Sequence, residues 1–132
     1  MRNIYFVVLP RLVLLDLAGP AEAFRLAALK VPASYTLHFI SPARTVLAAI
    51  GLQMSALEPL PPKLPADAIV VITGISGDSV DLNDPATQRV VAWQAGMGAV
   101  GAPHAECLSS RPGAPRNGCS KHRAVLIERD LQ

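Results

Sequence analysis

The stretch IYFVVLPRLVLLDLAGPAEAFRLAAL, residues 4–29, decides the fold. It opens with Ile4–Leu9, a continuous run of β-branched, aromatic and aliphatic residues that is typical of a strand buried on both faces of a parallel sheet. Pro10 ends this strand, because proline cannot donate to the hydrogen-bond ladder. Gly19 and Pro20 then indicate a helix start, and apolar residues continue at helical spacing to the end of the stretch. A buried strand followed closely by a helix predicts an α/β fold.

The chain continues this alternation up to residue 95. Further strands are predicted at Tyr35–Ser41, Thr45–Ala49, Leu52–Leu57 and Asp67–Thr73. A second helix is predicted from Pro85 to Gln94, with Asp84 as its N-cap. This order predicts a flavodoxin-like, mostly parallel sheet with helices on both faces. The loops after the first strand and after Thr73 then open onto the same edge, where such sheets bind ligands.

The regular pattern fades after Gly96. Residues 96–121 contain five glycines and three prolines with little periodicity, and a structureless stretch of this length is uncommon inside a compact domain. A helical pattern returns at His122–Leu131. We therefore expect a single domain over residues 1–132, recognisable to residue 95, irregular over 96–118 and ending in a helix within 119–132.

Composition narrows the class of protein. With 51% apolar and 17% charged residues, the 132-residue chain is expected to be globular and not disordered. A net charge of +2 indicates neither a nucleic-acid nor a membrane partner. No apolar run approaches the roughly 20 residues that a membrane span needs. Pro10, Arg11 and Asp16 interrupt the apolar N-terminus and oppose a signal peptide, so a cytoplasmic location is expected.

Four segments carry a resemblance to a known family. LLDLAGPAEAFRLA, residues 14–27, resembles the first strand–helix junction of the ThiJ/PfpI superfamily, whose fold is class I glutamine amidotransferase-like. ADAIVVITGISGDS, residues 66–79, resembles the second landmark, and TQRVVAWQ, residues 87–94, the helix after it. CSKHRAVLIE, residues 119–128, resembles a later histidine segment. The chain is most similar to the N-terminal domain of GlxA-type AraC-family transcriptional regulators, and then to isocyanide hydratase-like enzymes.

The central landmark of that family is missing. It is a strand ending in Val-Cys-Ser/Thr-Gly, where a strained turn exposes the cysteine ahead of an apolar helix. Cys107 lies instead in AECLSSRPG, with no apolar strand before it and Pro112 and Gly113 after it. We therefore expect a truncated, incomplete domain in which the cysteine strand and its helix are degraded after about residue 95. A disrupted reading frame over segment 96–118 is our hypothesis, and the nucleotide sequence translated in all three frames would test it.

Asp16 and Cys107 are the candidate catalytic residues. In the hydratase-like enzymes, the resemblance implies that an acid at Asp16 faces the cysteine and handles a proton. The alternative is that Asp16 caps the helix and meets its dipole, which we favour because catalysis needs a nucleophile. Cys107 acts as that nucleophile only if its thiol pKa is lowered, and otherwise it is an inert thiol.

The candidate ligand-binding residues are Asp16, Gly19, Gly74, Ile75, Gly77 and His122. Backbone N–H groups of the glycine-rich segment can line an anion site, although glycines there serve a tight turn equally well. The spacing of His104, Cys107, Cys119 and His122 lacks the paired short intervals of structural zinc sites. No metal and no other cofactor are therefore expected.

Three functions are considered, and we predict the first of them. The first is the ligand-sensing and dimerising domain of an AraC-type regulator, catalytically inactive, truncated before its DNA-binding domain and homodimeric. This chain alone is then not expected to bind DNA specifically, since it contains no helix-turn-helix segment. The second is a small-molecule hydratase or hydrolase that uses a cysteine with Asp16. The third is a non-functional remnant that folds partially or not at all.

Overall fold

The described part of the protein is a sheet with helices packed on it. In the computed structural model, the structure describes residues 1–75 and 83–96, and the backbone of residues 104–106 and 125–128. The elements are β1 (Arg2–Val7), α1 (Leu14–Lys30), β2 (Tyr35–Ile40), β3 (Val46–Leu47), β4 (Gln53–Met54), β5 (Ile69–Ile72), α2 (Pro85–Gly96), β6 (His104–Glu106) and β7 (Val125–Glu128).

Strand β1 is the centre of a parallel sheet. It pairs in parallel with β2 on one side and with β5 on the other, so that Phe6 lies between Phe39 and Val71. From Ile4 onward the side chains of β1 alternate between the two faces of the sheet and are buried on both, which explains why the run from Ile4 to Leu9 contains no charged residue. The predicted α/β fold with a parallel sheet is confirmed for β2, β1 and β5.

Each face of the sheet is covered by one of the two described helices. On the first face, Phe6 stacks on Phe39 with ring centroids 5.4 Å apart, and Phe24 of α1 meets Phe6 edge-on at 6.3 Å. On the second face, Val90 and Trp93 of α2 pack with the alternate residues of β1 and β5. Neither described helix has the length and apolar character that crossing a membrane requires.

Helix α1 begins five residues earlier than Gly19, where the sequence placed its start. It runs from Leu14, with Val13 at the N-cap position and no side-chain capping bond. Pro20 lies inside the helix and has no N–H to offer the carbonyl of Asp16, four residues before it. The earlier start is possible because the N–H of Val13 donates to the carbonyl of Gly74 at 2.9 Å, so that a distant loop fixes the helix end.

Helix α2 follows the sequence prediction closely. The Oδ2 atom of Asp84 accepts hydrogen bonds from the backbone N–H of Thr87 at 2.9 Å and from its hydroxyl at 3.1 Å. This is the geometry of an N-cap, which satisfies a backbone donor that the first helical turn leaves free. The prediction of Asp84 as the cap is confirmed.

The predicted strand pair around Gly51 forms a short antiparallel hairpin. β3 and β4 are each two residues long, so both are shorter than expected. The turn places Gly51 at φ +86°, a conformation that residues with a Cβ rarely adopt.

The predicted C-terminal helix is wrong where the structure describes that segment. Residues Val125–Glu128 form β7, which pairs antiparallel with β5 and with β6, giving the order β2-β1-β5-β7-β6. A short apolar run is compatible with either a helix or a buried strand. Here residues Val125–Glu128 pair with the free edge of β5, and they therefore form a strand.

Candidate functional site

Three loops meet at the carboxyl edge of β1 and β5. The loop after β1 donates from the N–H of Val13 to the carbonyl of Gly74, and an isolated antiparallel bridge joins Leu12 to Ile75. The hairpin contributes a bond from the N–H of Ala49 to the carbonyl of Leu12 at 3.0 Å. The two loops that the sequence placed at one edge are therefore joined there by direct hydrogen bonds.

Buried polar contacts fix the ends of the two strands beneath these loops. The hydroxyl of Thr73 donates to the carbonyl of Val7 at 3.1 Å, and Thr73 is almost completely buried. This bond ties the end of β1 to the end of β5 and forms a rigid base for the edge. Thr73 is not among the site residues predicted from the sequence; its only signal there is a hydroxyl residue that directly follows a buried strand.

Asp16 lies in the first turn of α1, above this base. Its backbone N–H donates to the carbonyl of Val13 at 3.0 Å. Its carboxylate oxygen Oδ2 is inaccessible to solvent and has no hydrogen-bond partner in the part of the chain that the structure describes. Asp16 as a whole is only partly buried, but a single carboxylate oxygen that is shielded from water and has no partner is uncommon, because no hydrogen bond replaces those it would make to water.

The capping interpretation of Asp16 is corrected by this geometry. The cap position belongs to Val13, and no side chain caps the helix. A carboxylate in the first turn can also bond back to the N–H of the cap residue, as in a capping box. The carbonyl of Gly74 already accepts from the N–H of Val13, so the Asp16 carboxylate does not have the capping-box role either. What remains of the interpretation is the favourable position of a negative charge near the positive end of the helix dipole.

The other predicted ligand-binding residues differ in where the structure places them. Gly74 is buried and Ile75 is partly buried, and both lie in the loop that contacts Leu12 and Val13. Gly19 is exposed in α1, and a Cβ added there would meet no atom within 4 Å. Their roles in binding stay predictions.

Three further candidates, Gly77, Cys107 and His122, lie outside the described residues. The catalytic role of Cys107 therefore stays a prediction, as does ligand binding by Gly77 and His122. Among the residues that are described, no group of three or more His, Cys, Asp or Glu side chains is arranged to hold a metal ion.

A second polar cluster lies on β2, away from the edge just described. The ring of His38 lies between Asn3 Oδ1, 3.1 Å from Nε2, and Glu58 Oε2, 3.2 Å from Nδ1, and it stacks on Tyr5 at 4.6 Å. Burial, followed by the nearby Glu58 and Asp67 carboxylates, raises the pKa of Tyr5. The backbone N–H of Glu58 also donates to the carbonyl of Phe39. The segment that contains Glu58 is therefore hydrogen-bonded to β2.

Comparison of the chain with protein-family models and with curated proteins gave no match. Among solved structures, the chain is similar to an AraC family transcriptional regulator from Pseudomonas putida, with 18% sequence identity and a TM-score of 0.48. The similarity covers 71% of this chain and 52% of that chain, so this chain spans about half the length of the structure it matches. A likeness of this size assigns no family.

Proposed function

We propose that this chain is a ligand-sensing domain of the kind found in AraC-type regulators, and that Asp16 binds the ligand. The observation that supports this most directly is the buried, unpartnered Oδ2 atom of Asp16 at the carboxyl edge of the sheet. The sequence resemblance of residues 14–27 to the GlxA-type regulators indicates the same class.

The energetics favour a binding role for Asp16 over a structural one. Leaving a buried polar atom without a partner costs about 1–3 kcal/mol, and more for a charged group. Water does not reach Oδ2 as the structure places it, so a ligand has to turn this oxygen out of its buried position. A ligand that does so and donates an N–H or O–H to Oδ2 recovers this cost on binding. The carboxylate thus selects a hydrogen-bond donor, and it disfavours an anionic group in the same place.

The residues near Asp16 in the sequence and in the adjoining loop suggest the character of the rest of the ligand. Leu12 and Leu17 are buried in the core on either side of Asp16 in the sequence, and Ile75 bridges to Leu12. Small-molecule sites generally combine apolar walls with a few polar groups that fix orientation. We therefore expect an uncharged or cationic molecule with an apolar body and an amide, amine or hydroxyl donor.

We propose that this site binds its ligand without chemistry. Nucleophilic catalysis needs a nucleophile within hydrogen-bonding reach of its base. Oδ2 of Asp16 has no such neighbour in residues 1–75 and 83–96, and both cysteines, Cys107 and Cys119, lie outside them. The interruption of the family pattern around Cys107 supports the same conclusion.

A screen of small primary amides, amines and alcohols by ligand-observed NMR tests the proposal. We expect the screen to find compounds that bind the wild-type chain. Their affinity for Asp16→Ala is expected to be lower by about tenfold or more, which equals about 1.4 kcal/mol or more. Asp16→Asn keeps an acceptor but removes the charge, so it separates neutral from cationic ligands. The matched control is Glu22→Ala, which removes an exposed carboxylate from the same helix. If every compound that binds does so equally well to Asp16→Ala, the proposal is wrong.

A further inference from the structure

The segment that connects β4 to β5, residues 55–68, is hydrogen-bonded to the sheet at Glu58. The backbone N–H of Glu58 donates to the carbonyl of Phe39 at 2.8 Å, and its carbonyl accepts from the N–H of Ser41 at 2.9 Å. These two bonds form an isolated parallel bridge between Ile40 and Glu58. At this position the connecting segment therefore extends the sheet by one residue beyond the outer edge of β2.

A second attachment joins the connecting segment to α2. The indole N–H of Trp93 donates to the carbonyl of Pro61 at 2.6 Å, and Leu60 and Leu64 pack with the buried residues of the second face. Because these contacts follow Glu58 by only a few residues, a release at Glu58 is a local opening and not the loss of the whole segment.

The side chain of Glu58 contacts His38 of β2. Nδ1 of His38 lies 3.2 Å from Oε2 of Glu58, and Nε2 of His38 lies 3.1 Å from Oδ1 of Asn3. A neutral imidazole has one N–H donor, whereas an imidazolium has two. The protonated ring can thus donate to both oxygen atoms at once. The neutral ring keeps both bonds only if the amide of Asn3 turns its nitrogen towards the ring.

Other groups around the ring also favour a positive charge on it. The ring of Tyr5, on β1, is nearly parallel to that of His38, with centroids 4.6 Å apart. A cation at such a distance from the face of an aromatic ring is attracted to it. Burial, and after it the carboxylates of Glu58 and Asp67, raises the pKa of Tyr5, so two carboxylates act on this pair of rings.

The positive groups of the neighbouring elements are placed differently. Arg2 of β1 alternates to the opposite face of the sheet. Lys63, in the connecting segment, is exposed and lies beyond the contact with Trp93. On β2, Thr36 lies two residues before His38, and its hydroxyl donates to Sδ of Met1 at 2.8 Å, so the chain terminus belongs to this end of the sheet.

The contact between the two side chains is partly in water. The side chain of His38 is 23% exposed and that of Glu58 is 55% exposed. Exposure limits the desolvation that opposes a charge on the ring. It also screens the attraction between the two charges, so the expected effect is that of a surface ion pair.

We propose that His38 is a pH-dependent switch: its protonation holds Glu58 and the connecting segment on the edge of β2, and its deprotonation loosens them. Imidazole is the side chain that ordinarily gains and loses a proton between about pH 5 and 8. The protonated ring adds an ion pair to the two backbone bonds, and this ion pair is lost as the pH rises through that range. Opening leaves the carbonyl of Phe39 and the N–H of Ser41 unpaired at the sheet edge. This proposal does not rest on the ligand site at Asp16, and either can fail without the other.

Amide hydrogen exchange, followed by NMR and expressed as protection factors, tests the switch. The N–H groups of Glu58 and Ser41 report on the attachment. In the wild-type chain, their protection is expected to be about two- to fivefold higher at about pH 5.5 than at about pH 8. The N–H of Val8, which donates to the carbonyl of Ile40 at 2.8 Å, is the internal control for the sheet itself. Equal protection at the two pH values overturns the proposal, as does an equal change at Val8.

Two substitutions separate the switch from a general effect of pH. His38→Gln keeps a hydrogen-bonding side chain that cannot take up a proton, and Glu58→Gln keeps the backbone bonds but removes the carboxylate. Both are expected to abolish the pH difference at Ser41. The matched control is Glu22→Gln, which removes an exposed carboxylate from α1 and is expected to keep the difference. A pH difference that persists in His38→Gln overturns the proposal.

Discussion

Replacing Asp16 by alanine is expected to make the protein more stable, although the substitution removes a charge from a favourable position in a helix. Asp16→Ala removes the buried Oδ2 atom that has no partner in the described residues, a gain of about 1–3 kcal/mol. Alanine is also a better helix former than aspartate, by up to about 0.7 kcal/mol. Against this, the interaction of the carboxylate with the helix dipole, about 0.3–1 kcal/mol, is lost. The net expectation is a rise of about 1–2 kcal/mol in the free energy of unfolding.

Urea unfolding at neutral pH measures this change. The single tryptophan, Trp93, is a suitable fluorescent reporter, because its indole N–H donates to the carbonyl of Pro61 at 2.6 Å and this contact is lost on unfolding. The control is Glu22→Ala, which removes an exposed, salt-bridged carboxylate and is expected to change stability by no more than about 0.5 kcal/mol. If Asp16→Ala lowers stability by about 1 kcal/mol or more, the carboxylate is a structural group and the argument for a ligand at Oδ2 fails.

Three more predictions concern the framework of the site. Phe6 is fully buried and stacked on Phe39, so Phe6→Ala is expected to cost about 3–5 kcal/mol in urea unfolding; a cost below about 1 kcal/mol contradicts the central position of β1. Asp84→Ala should cost about 1 kcal/mol and Asp84→Asn only a fraction of that, because Asn also caps; equal losses would mean that the bond to Thr87 is unimportant. The raised pKa of Tyr5 favours the neutral phenol in the folded state, so its stabilising contribution is present below the unperturbed value of 10.0 and is lost as the pH rises above it. Unfolding curves on either side of that pH should show a smaller alkaline loss for Tyr5→Phe than for the wild type, and an unchanged loss contradicts the assignment.

The sequence predicted a feature correctly where nearby residues or the general geometry of a parallel sheet determine it. The run at Ile4–Leu9 predicts a doubly buried strand because both faces of β1 are covered, so that its side chains are aliphatic or aromatic. The N-cap at Asp84 is equally local, since the carboxylate bonds to an N–H three residues away. The meeting of the loops at Leu12 and Ile75 also followed, because parallel strands end at a common edge.

What the sequence could not indicate depends on contacts between distant residues. The start of α1 is fixed by the hydrogen bond from Val13 to Gly74. No sequence pattern within the helix could predict that bond. The same bond removes the capping role from Asp16 and leaves Oδ2 without a partner. Strand β7 was mistaken for a helix because only its pairing with β5 distinguishes the two states.

The order of strands in the sheet has a consequence for how the chain folds. Ile4 of β1 pairs with Ile69 of β5, more than sixty residues later, and Ile69 pairs in turn with Glu128, more than fifty residues beyond that. Because such non-local pairs must close long loops before they gain stability, folding is expected to be slow, in milliseconds to seconds. During synthesis, β1 and β5 are complete well before β7 emerges, so the outer edge of β5 stays unpaired for that interval. An unpaired strand edge makes an incomplete chain prone to aggregation, so we expect protection by a chaperone to matter at this stage.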